Sequence, residues 1–260
     1  MQSDDFYNGE AGSRYREPDK IEGFELSEAL RSLQFLGDDL YLNMQAFNLS
    51  VVDTFIMHLQ YETLRKLHEE ESTPAEATFL SAQSQMWIFA AYELLRTWKE
   101  RSGEIVKLHQ NGGLQSKIAH LEEEAGYLHV GRRSRAAQLR NVLADPSIVE
   151  KIKLDLRVIY IPFSRLSFIR VALAKHQVQG RRNSIAYSPG YGRINRWCGS
   201  LDYQLEQGRF ILGNISRRDL ADELRAISSN REKPQTDEEI DSFDEFMKGP
   251  PDKNPFAADA

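Results

Sequence analysis

Hydrophobic side chains recur every three or four positions through two long stretches of the chain, which is the spacing of one helix face. The first stretch runs from Met44 to Glu70 and the second begins at Thr73-Pro74-Ala75-Glu76, where Thr73 can cap and Glu76 completes a capping box. The apolar positions are Leu49, Val52, Phe55, Ile56, Leu59 and Leu67, then Phe79, Leu80, Met86, Trp87, Ala90, Ala91, Leu94, Leu95 and Trp98. Two long helices joined by a short polar turn predict an antiparallel hairpin.

Shorter elements are predicted around this hairpin. Residues 26–36 fit a short helix or a strand, because a short apolar run does not discriminate between them. Helical spacing continues over 114–127, 148–160 and 163–179, with a break at Pro162. Apolar and polar residues alternate over 200–205 and return over 210–215, and Ser216 begins another capping box. The sequence therefore predicts a mainly α fold, a helical bundle with a small β-hairpin near the C-terminal end of the body.

Charge divides the chain into three parts. Residues 1–25 carry a net charge of −4 and residues 231–260 a net charge of −5, and both contain helix-breaking Gly and Pro. We interpret them as acidic tails around a helical body at 26–230, in which 26–72 is either part of the same bundle or a separate cap. The C-terminal tail contains an acidic amphipathic segment, Asp237 to Met247, which fits a solubilising tail, a contact with a basic protein partner, or a contact with this protein's own cationic face.

Several function classes lack their sequence signals. No apolar run is long enough to span a bilayer, and Cys198 is the only cysteine, so an intramolecular disulfide and a cysteine-clustered metal site are excluded. The phosphate-binding loop, the hydrolase nucleophile elbow and the paired-histidine zinc motif are absent. We expect a cytoplasmic protein with no metal, no cofactor and no membrane partner.

The basic residues concentrate in one part of the body. Between Gly131 and Arg196 there are fourteen Lys or Arg and three acidic residues, a net charge of +11. Clustered cations are the usual footprint of a nucleic-acid-binding surface, and the alternative is pairing with this protein's own acidic segments. The candidate RNA-binding residues are Arg132, Arg133, Arg135, Arg140, Arg181 and Arg193.

One motif lies inside this basic segment. Arg182, Asn183, Ile185 and Ala186 resemble the R-N-x-I-A-H motif of HEPN domains, which are all-helical modules of toxin–antitoxin and defence systems. The resemblance implies a homodimer whose two motifs line one cleft, and a metal-independent ribonuclease in which the His assists deprotonation of the ribose 2′-hydroxyl. Tyr187 stands where the family has His. A tyrosine, with an ordinary pKa of about 10, is almost fully protonated at neutral pH, so the motif is better suited to binding than to cleavage.

Three functions remain open at this stage. The first is a catalytically degenerate HEPN-like protein that binds RNA or a protein partner through Arg182, Asn183 and Tyr187. The second is a ribonuclease that uses Arg182 with Tyr187 or His176, for which Arg170 and His176 form an alternative catalytic pair. The third is a helical interaction scaffold with no nucleic-acid role.

Overall fold

The computed structural model describes residues 15–123, 129–175, 192–207 and 210–250. The described chain is mainly helical with one small antiparallel sheet, which confirms the predicted fold class. The helices are α1 (Glu25–Arg31), α2 (Leu40–Glu70), α3 (Glu76–Gln110), α4 (Leu114–Glu122), α5 (His129–Ala144), α6 (Ser147–Val158), α7 (Tyr160–Lys175), α8 (Arg217–Arg225), α9 (Ile227–Asn230) and α10 (Asp237–Lys248). The strands are β1 (Arg193–Ile194), β2 (Leu201–Gln207) and β3 (Phe210–Ser216).

The α2–α3 hairpin forms the centre of the molecule, as its apolar spacing predicts. Trp87 is buried against α2, and its indole Nε1 donates to the Leu49 carbonyl at 3.1 Å. Trp98 is buried one turn beyond Leu95, and its Nε1 donates to the Gln34 carbonyl at 2.9 Å. Each indole ring is therefore buried while its single N–H donor is hydrogen-bonded. The two bonds connect α3 to α2 and to the segment that precedes α2.

The start of α3 differs from the capping box expected at Thr73. The helix begins at Glu76 with Ala75 at the N-cap position, and no side chain caps it. The Glu76 carboxylate instead accepts from Lys66 near the end of α2. A contact across the hairpin therefore replaces the local cap, and α3 continues through Gly103 without a break.

The helices after the hairpin pack in two groups. A small apolar cluster joins α3, α4, α5 and α6 through side chains that include Ile105, Ile118, Leu139 and Ile152. The chain divides before Pro162, because α6 ends at Val158 and α7 begins at Tyr160. The larger cluster contains residues of α1, α2, α3, α7, β2 and α8, so segment 26–72 packs into the same core as the later helices.

The sheet is antiparallel with strand order β1–β2–β3. Its main hairpin pairs Asp202 with Ser216 and Tyr203 with Ile215, with an irregular register between Leu205 and Glu206. Tyr203 faces the core, and the Ser216 side chain caps α8 in the predicted capping box with Asp219. Among the described helices, none is both long enough and apolar enough for a membrane span.

The acidic segment near the C-terminus forms α10 and contacts α7. Asp237 pairs with Arg157 at 2.6 Å, and the Tyr160 hydroxyl donates to Asp244 at 2.8 Å. The Phe243 ring is buried, with the Arg165 guanidinium 5.6 Å from its centre. Of the alternatives for this segment, the structure shows contact with the protein's own cationic side chains.

Candidate nucleic-acid interface

A cleft lined by both apolar and polar side chains lies between the first turns of α3 and the sheet. Its volume is about 880 Å³. The α3 side contributes small and hydroxyl-bearing side chains, and the sheet side contributes two arginines, Arg193 and Arg196. The lining residues are Leu67, Thr73, Ala77, Thr78, Ser81, Ala82, Gln85, Gly192, Arg193, Ile194, Arg196 and Leu201. No carboxylate and no imidazole belongs to this described lining, so its two arginines are its charged groups; His68 and Glu71 line the adjoining pocket, which shares Arg196.

A tight loop over residues 195–200 follows Arg193 of β1 and carries Arg196. The Asn195 Oδ1 accepts from the backbone N–H groups of Trp197 at 2.9 Å and Cys198 at 3.2 Å, an Asx turn. Gly199 has a φ of +70°, and a Cβ there would lie 1.9 Å from the Gln60 carbonyl oxygen of α2. Only glycine fits both the left-handed backbone and this close approach. The loop is therefore fixed to α2 next to the cleft.

The single cysteine belongs to this loop. Cys198 is fully buried, and burial raises the pKa of its thiol to about 12. Because the thiolate is the reactive form, this thiol is inert at neutral pH. Its role is to fill space beneath the loop.

The predicted motif is not among the described residues. Arg181, Arg182, Asn183 and Tyr187 lie outside the described ranges, and so does His176. Arg193 is the candidate RNA-binding residue that the structure places at the cleft, where it is exposed. Arg196, which the sequence analysis did not single out as a site residue, lines the cleft beside it. The sequence signal for Arg196 is the residue before it: Asn195 is of a type common in turns, which indicates that Arg196 lies in an exposed turn.

The arginines of α5 occupy a different region and mostly contact the protein itself. Arg132 donates to the Leu121 carbonyl at 3.2 Å at the end of α4, and Arg140 pairs with Glu122. Arg135 is largely buried, donates to the Arg101 carbonyl at 2.7 Å and pairs with Glu104 at 3.3 Å. Arg133 is exposed and forms no ion pair with a described residue.

Arg170 also has partners within the protein. Its guanidinium lies 4.9 Å from the centre of the Tyr92 ring and 3.7 Å from a Glu93 carboxylate oxygen. Both partners are on α3, so the contact stabilises the packing of α7 on α3. The alternative pair of Arg170 with His176 stays a prediction, because His176 is outside the described residues.

A buried ion-pair network beneath the loop was missed by the sequence analysis. Arg217 and Arg225 of α8 both pair with the Asp53 carboxylate of α2, and all three side chains are nearly inaccessible to solvent. Arg217 also donates to the Gln60 Oε1 at 3.0 Å, while Arg225 pairs with Asp222 at 2.5 Å. Asp53 occupies a position of the buried α2 face between Leu49 and Ile56, and a carboxylate at such a position was the signal for a buried cationic partner.

The third arginine of this network, Arg218, connects it to the loop. Its Nε donates to Asp222 at 2.8 Å, and its backbone N–H donates to the Ser200 hydroxyl at 3.3 Å. The same hydroxyl accepts from the Gln60 Nε2 at 2.9 Å. Burial lowers the pKa of Arg217, and Asp53 opposes that effect. The network therefore carries structural charge beneath the cleft loop and offers no accessible cation.

Within the described residues, no group of three or more His, Cys, Asp or Glu side chains is arranged to hold a metal ion. No protein-family model, curated protein or solved structure matches this chain. The function is therefore argued from the described side chains and from the sequence.

Proposed function

We propose that this protein is a non-enzymatic RNA-binding protein whose ligand occupies the cleft lined by Arg193 and Arg196. The observation that carries the proposal is the state of these two arginines. Both are exposed, and neither forms an ion pair with a described carboxylate, whereas five of the seven other described arginines of the +11 segment do. Free guanidinium groups beside hydroxyl and amide side chains suit phosphate oxygens and ribose hydroxyls.

The sequence supports a contribution from the motif to the same site. Tyr187 precedes Gly192 by five positions, and Gly192 lines the cleft. In this proposal Arg182 and Asn183 add phosphate contacts, and the Tyr187 hydroxyl donates a hydrogen bond. The placement in a HEPN-like toxin or defence system is part of the proposal and depends on the motif alone.

Binding rather than cleavage is proposed because a general base is missing from the described cleft. Its lining contains no histidine and no carboxylate. An unperturbed tyrosine side chain has a pKa of about 10, so a tyrosine is a poorer general base at neutral pH than the histidine of the family motif. Within the described lining a 2′-hydroxyl would meet hydrogen-bond donors and cations, and the acid–base groups His68 and Glu71 lie in the adjoining pocket that shares Arg196.

The test is RNA binding measured by fluorescence anisotropy at several salt concentrations. For a single-stranded probe, the Arg193→Ala/Arg196→Ala variant is expected to bind about 10- to 100-fold more weakly. Its slope of log affinity against log salt should fall by about 1.4, roughly 0.7 for each lost phosphate contact. The matched control is Arg31→Ala/Lys107→Ala, which removes the same charge from two exposed side chains that lie outside the cleft lining and outside the set of candidate RNA-binding residues. Equal losses in both variants would contradict a site at the cleft.

The ribonuclease alternative is tested by restoring the family residue. Tyr187→His supplies a group that titrates near neutrality. Cleavage of a mixed RNA pool by the wild type without added metal, abolished by Arg182→Ala, would overturn the non-enzymatic proposal. Cleavage by Tyr187→His alone would support a binding site that lacks only its base.

A second candidate function, the interaction scaffold, is favoured by a different observation. Residues 40–57 of α2 include one charged side chain, Asp53, which is buried, and residues 77–92 of α3 include none. A helical surface without charge is unusual for a chain with 28% charged residues, and it indicates contact with another protein surface.

A further inference from the structure

The N-terminal half of α2 is apolar on two opposite faces. One face is buried in the core at positions that include Leu42, Leu49 and Ile56. The opposite face is exposed, and we call it the α2 stripe: Leu40, Tyr41, Met44, Phe47, Asn48, Val51, Val52 and Phe55. At about 100° per residue these positions cover an arc of about 140° on the helix surface. A second apolar face on a helix whose first face is already packed in the core indicates a further contact.

Part of the α2 stripe has the spacing of a coiled-coil seam. Tyr41, Met44, Asn48, Val51 and Phe55 follow each other at intervals of three, four, three and four residues. Such intervals place side chains along one line that can interlock with a neighbouring helix. Tyr41, Met44 and Phe55 each retain 51–54% of their accessible surface, so about half of each side chain is left uncovered by the described residues.

Helix α3 extends this surface. Phe79 contacts Phe55 edge to face, with ring centres 6.4 Å apart, and Met86 is 64% exposed. A groove of about 410 Å³ separates the two helices, and its floor includes Leu49 and Trp87. Among the described residues that line this groove, Glu93 is the one with a charged side chain.

The area is sufficient for a stable interface. The nine exposed apolar side chains of α2 and α3 present on the order of 900 Å² when a large side chain has about 150–250 Å² in all. Each partner of a standard protein–protein interface buries about 800 Å². An uncharged surface of this size does not suit a polyanion, because it offers no cation to neutralise phosphate.

We propose that the occupant of this surface is a second copy of the chain, with the two α2 helices packed antiparallel about a two-fold axis at Asn48. The argument is the position of the one polar side chain in the α2 stripe. Asn48 lies at the midpoint of the stripe, which runs from Leu40 to Phe55. A two-fold axis brings a central residue against itself, and two carboxamides can each donate to and accept from the other. A single Asn in an apolar seam is also a device that fixes register.

The antiparallel arrangement makes specific pairs. With the axis at Asn48, Tyr41 of one copy faces Phe55 of the other, because both are seven residues from the centre. No like charges oppose each other along the stripe, since it contains none. This inference is independent of RNA binding at the cleft, and it gives the scaffold candidate a defined partner.

Association is tested first by light scattering at micromolar concentration. The wild type is expected to have about twice the 29.9 kDa chain mass. Phe55→Glu should raise the dimer dissociation constant about 30-fold or more, the scale of losing a buried anchor. The matched control is Phe246→Glu on α10, because both phenylalanines have 52% of their surface exposed. Val51→Lys repeats the test in case Phe55→Glu fails to fold.

The orientation is tested by charge pairing and cross-linking. Tyr41→Lys and Phe55→Glu should each weaken the dimer, and the double variant should restore it, because in the antiparallel pair Lys faces Glu. Asn48→Cys should form an intermolecular disulfide under mild oxidation, while Tyr41→Cys, far from its own copy, should not. Native Cys198 is buried and does not interfere.

Three outcomes of these experiments would contradict the proposal. A wild type that is monomeric, and that associates only after removal of residues 1–14, would assign the surface to the chain's own N-terminal segment. A monomer in both forms would exclude self-association. A dimer that survives Phe55→Glu and Val51→Lys would place the interface elsewhere. Arg193→Ala/Arg196→Ala should remain dimeric, so failure of RNA binding and failure of dimerisation are distinguished.

Discussion

Two groups of arginines in this protein differ in their burial and in their ion-pair partners. Arg217 and Arg225 are buried and share the Asp53 carboxylate, whereas Arg193 and Arg196 are exposed beside the cleft and pair with no described carboxylate. The buried pair is removed from any ligand, and its charge is used in holding α8 on α2. The exposed pair contributes little to folding and is accessible. Total basic charge therefore says little about binding until the partners of each guanidinium are known.

The largest expected effect comes from breaking the buried group. Asp53→Asn preserves shape but leaves two buried guanidinium groups without their shared counter-charge, so we expect a loss of about 3–5 kcal/mol in the free energy of unfolding. Urea denaturation measures it. The control is Asp237→Asn, the same substitution in an exposed ion pair with Arg157, for which about 0–1 kcal/mol is expected. Similar losses in both variants would show that burial does not distinguish the two groups.

A smaller effect is expected at the link between the two groups. Ser200→Ala removes the hydroxyl that accepts from Gln60 and from the Arg218 backbone, leaving two buried donors unsatisfied, at about 2 kcal/mol. Ser229→Ala is the matched control, because its exposed hydroxyl only donates to a carbonyl one turn earlier. Thermal unfolding of both variants, followed by circular dichroism, should show a lowered Tm for Ser200→Ala alone.

Arg135 is intermediate in burial between the two groups, and its ion pair with Glu104 predicts that the stability of the fold depends on pH. Burial raises the pKa of its partner Glu104, but hydrogen bonds from Lys117 and Arg135 outweigh this, so the pKa lies below its usual 4.5. A depressed carboxyl pKa gives stability that is present above pH 4.5 and lost as the pH falls through the folded-state pKa. Glu104→Gln should therefore cost a few tenths of a kcal/mol at pH 7, after solvent screening, and nothing near pH 2. A loss that is equal at both pH values would contradict an electrostatic origin.

The smallest effect on stability is expected at the exposed pair. Arg193→Ala/Arg196→Ala should change the free energy of unfolding by less than about 0.5 kcal/mol, as surface substitutions without partners usually do. The same variant is expected to lose RNA affinity. Urea denaturation and anisotropy on one protein preparation would separate the two effects. A marked loss of stability would mean that these arginines have a structural role.

Periodicity predicted the helices whose apolar face is continuous. The α2–α3 hairpin, the strands near 201–216 and the capping box at Ser216 are local patterns, and they are confirmed. Helix α5 was not predicted from periodicity. Its sequence is rich in arginine, and its buried face has only a few apolar residues such as Leu139 and Val142. The Thr73 cap failed for a related reason, since Lys66, which pairs with Glu76, comes from the other helix of the hairpin.

The candidate site was only partly predictable. The charge of Arg193 predicted it as a candidate RNA-binding residue. Its exposure at a cleft depends on the loop that follows it, which is supported by α2, more than a hundred residues earlier in the chain. Arg135 and Arg140 were chosen for the same reason, yet each has an acidic partner from another helix. Sequence shows which residues are charged, but the pairing of charges is decided by tertiary contacts.

The support of the cleft loop has a consequence for binding affinity. The loop that carries Arg196 and follows Arg193 of β1 is closed by the Asn195 side chain and lies against Gln60 through Gly199. A ligand that meets arginines on a backbone already held in one conformation does not have to order that backbone on arrival. In the proposed RNA complex, the entropy that a mobile loop would lose on binding is already lost during folding, which favours affinity.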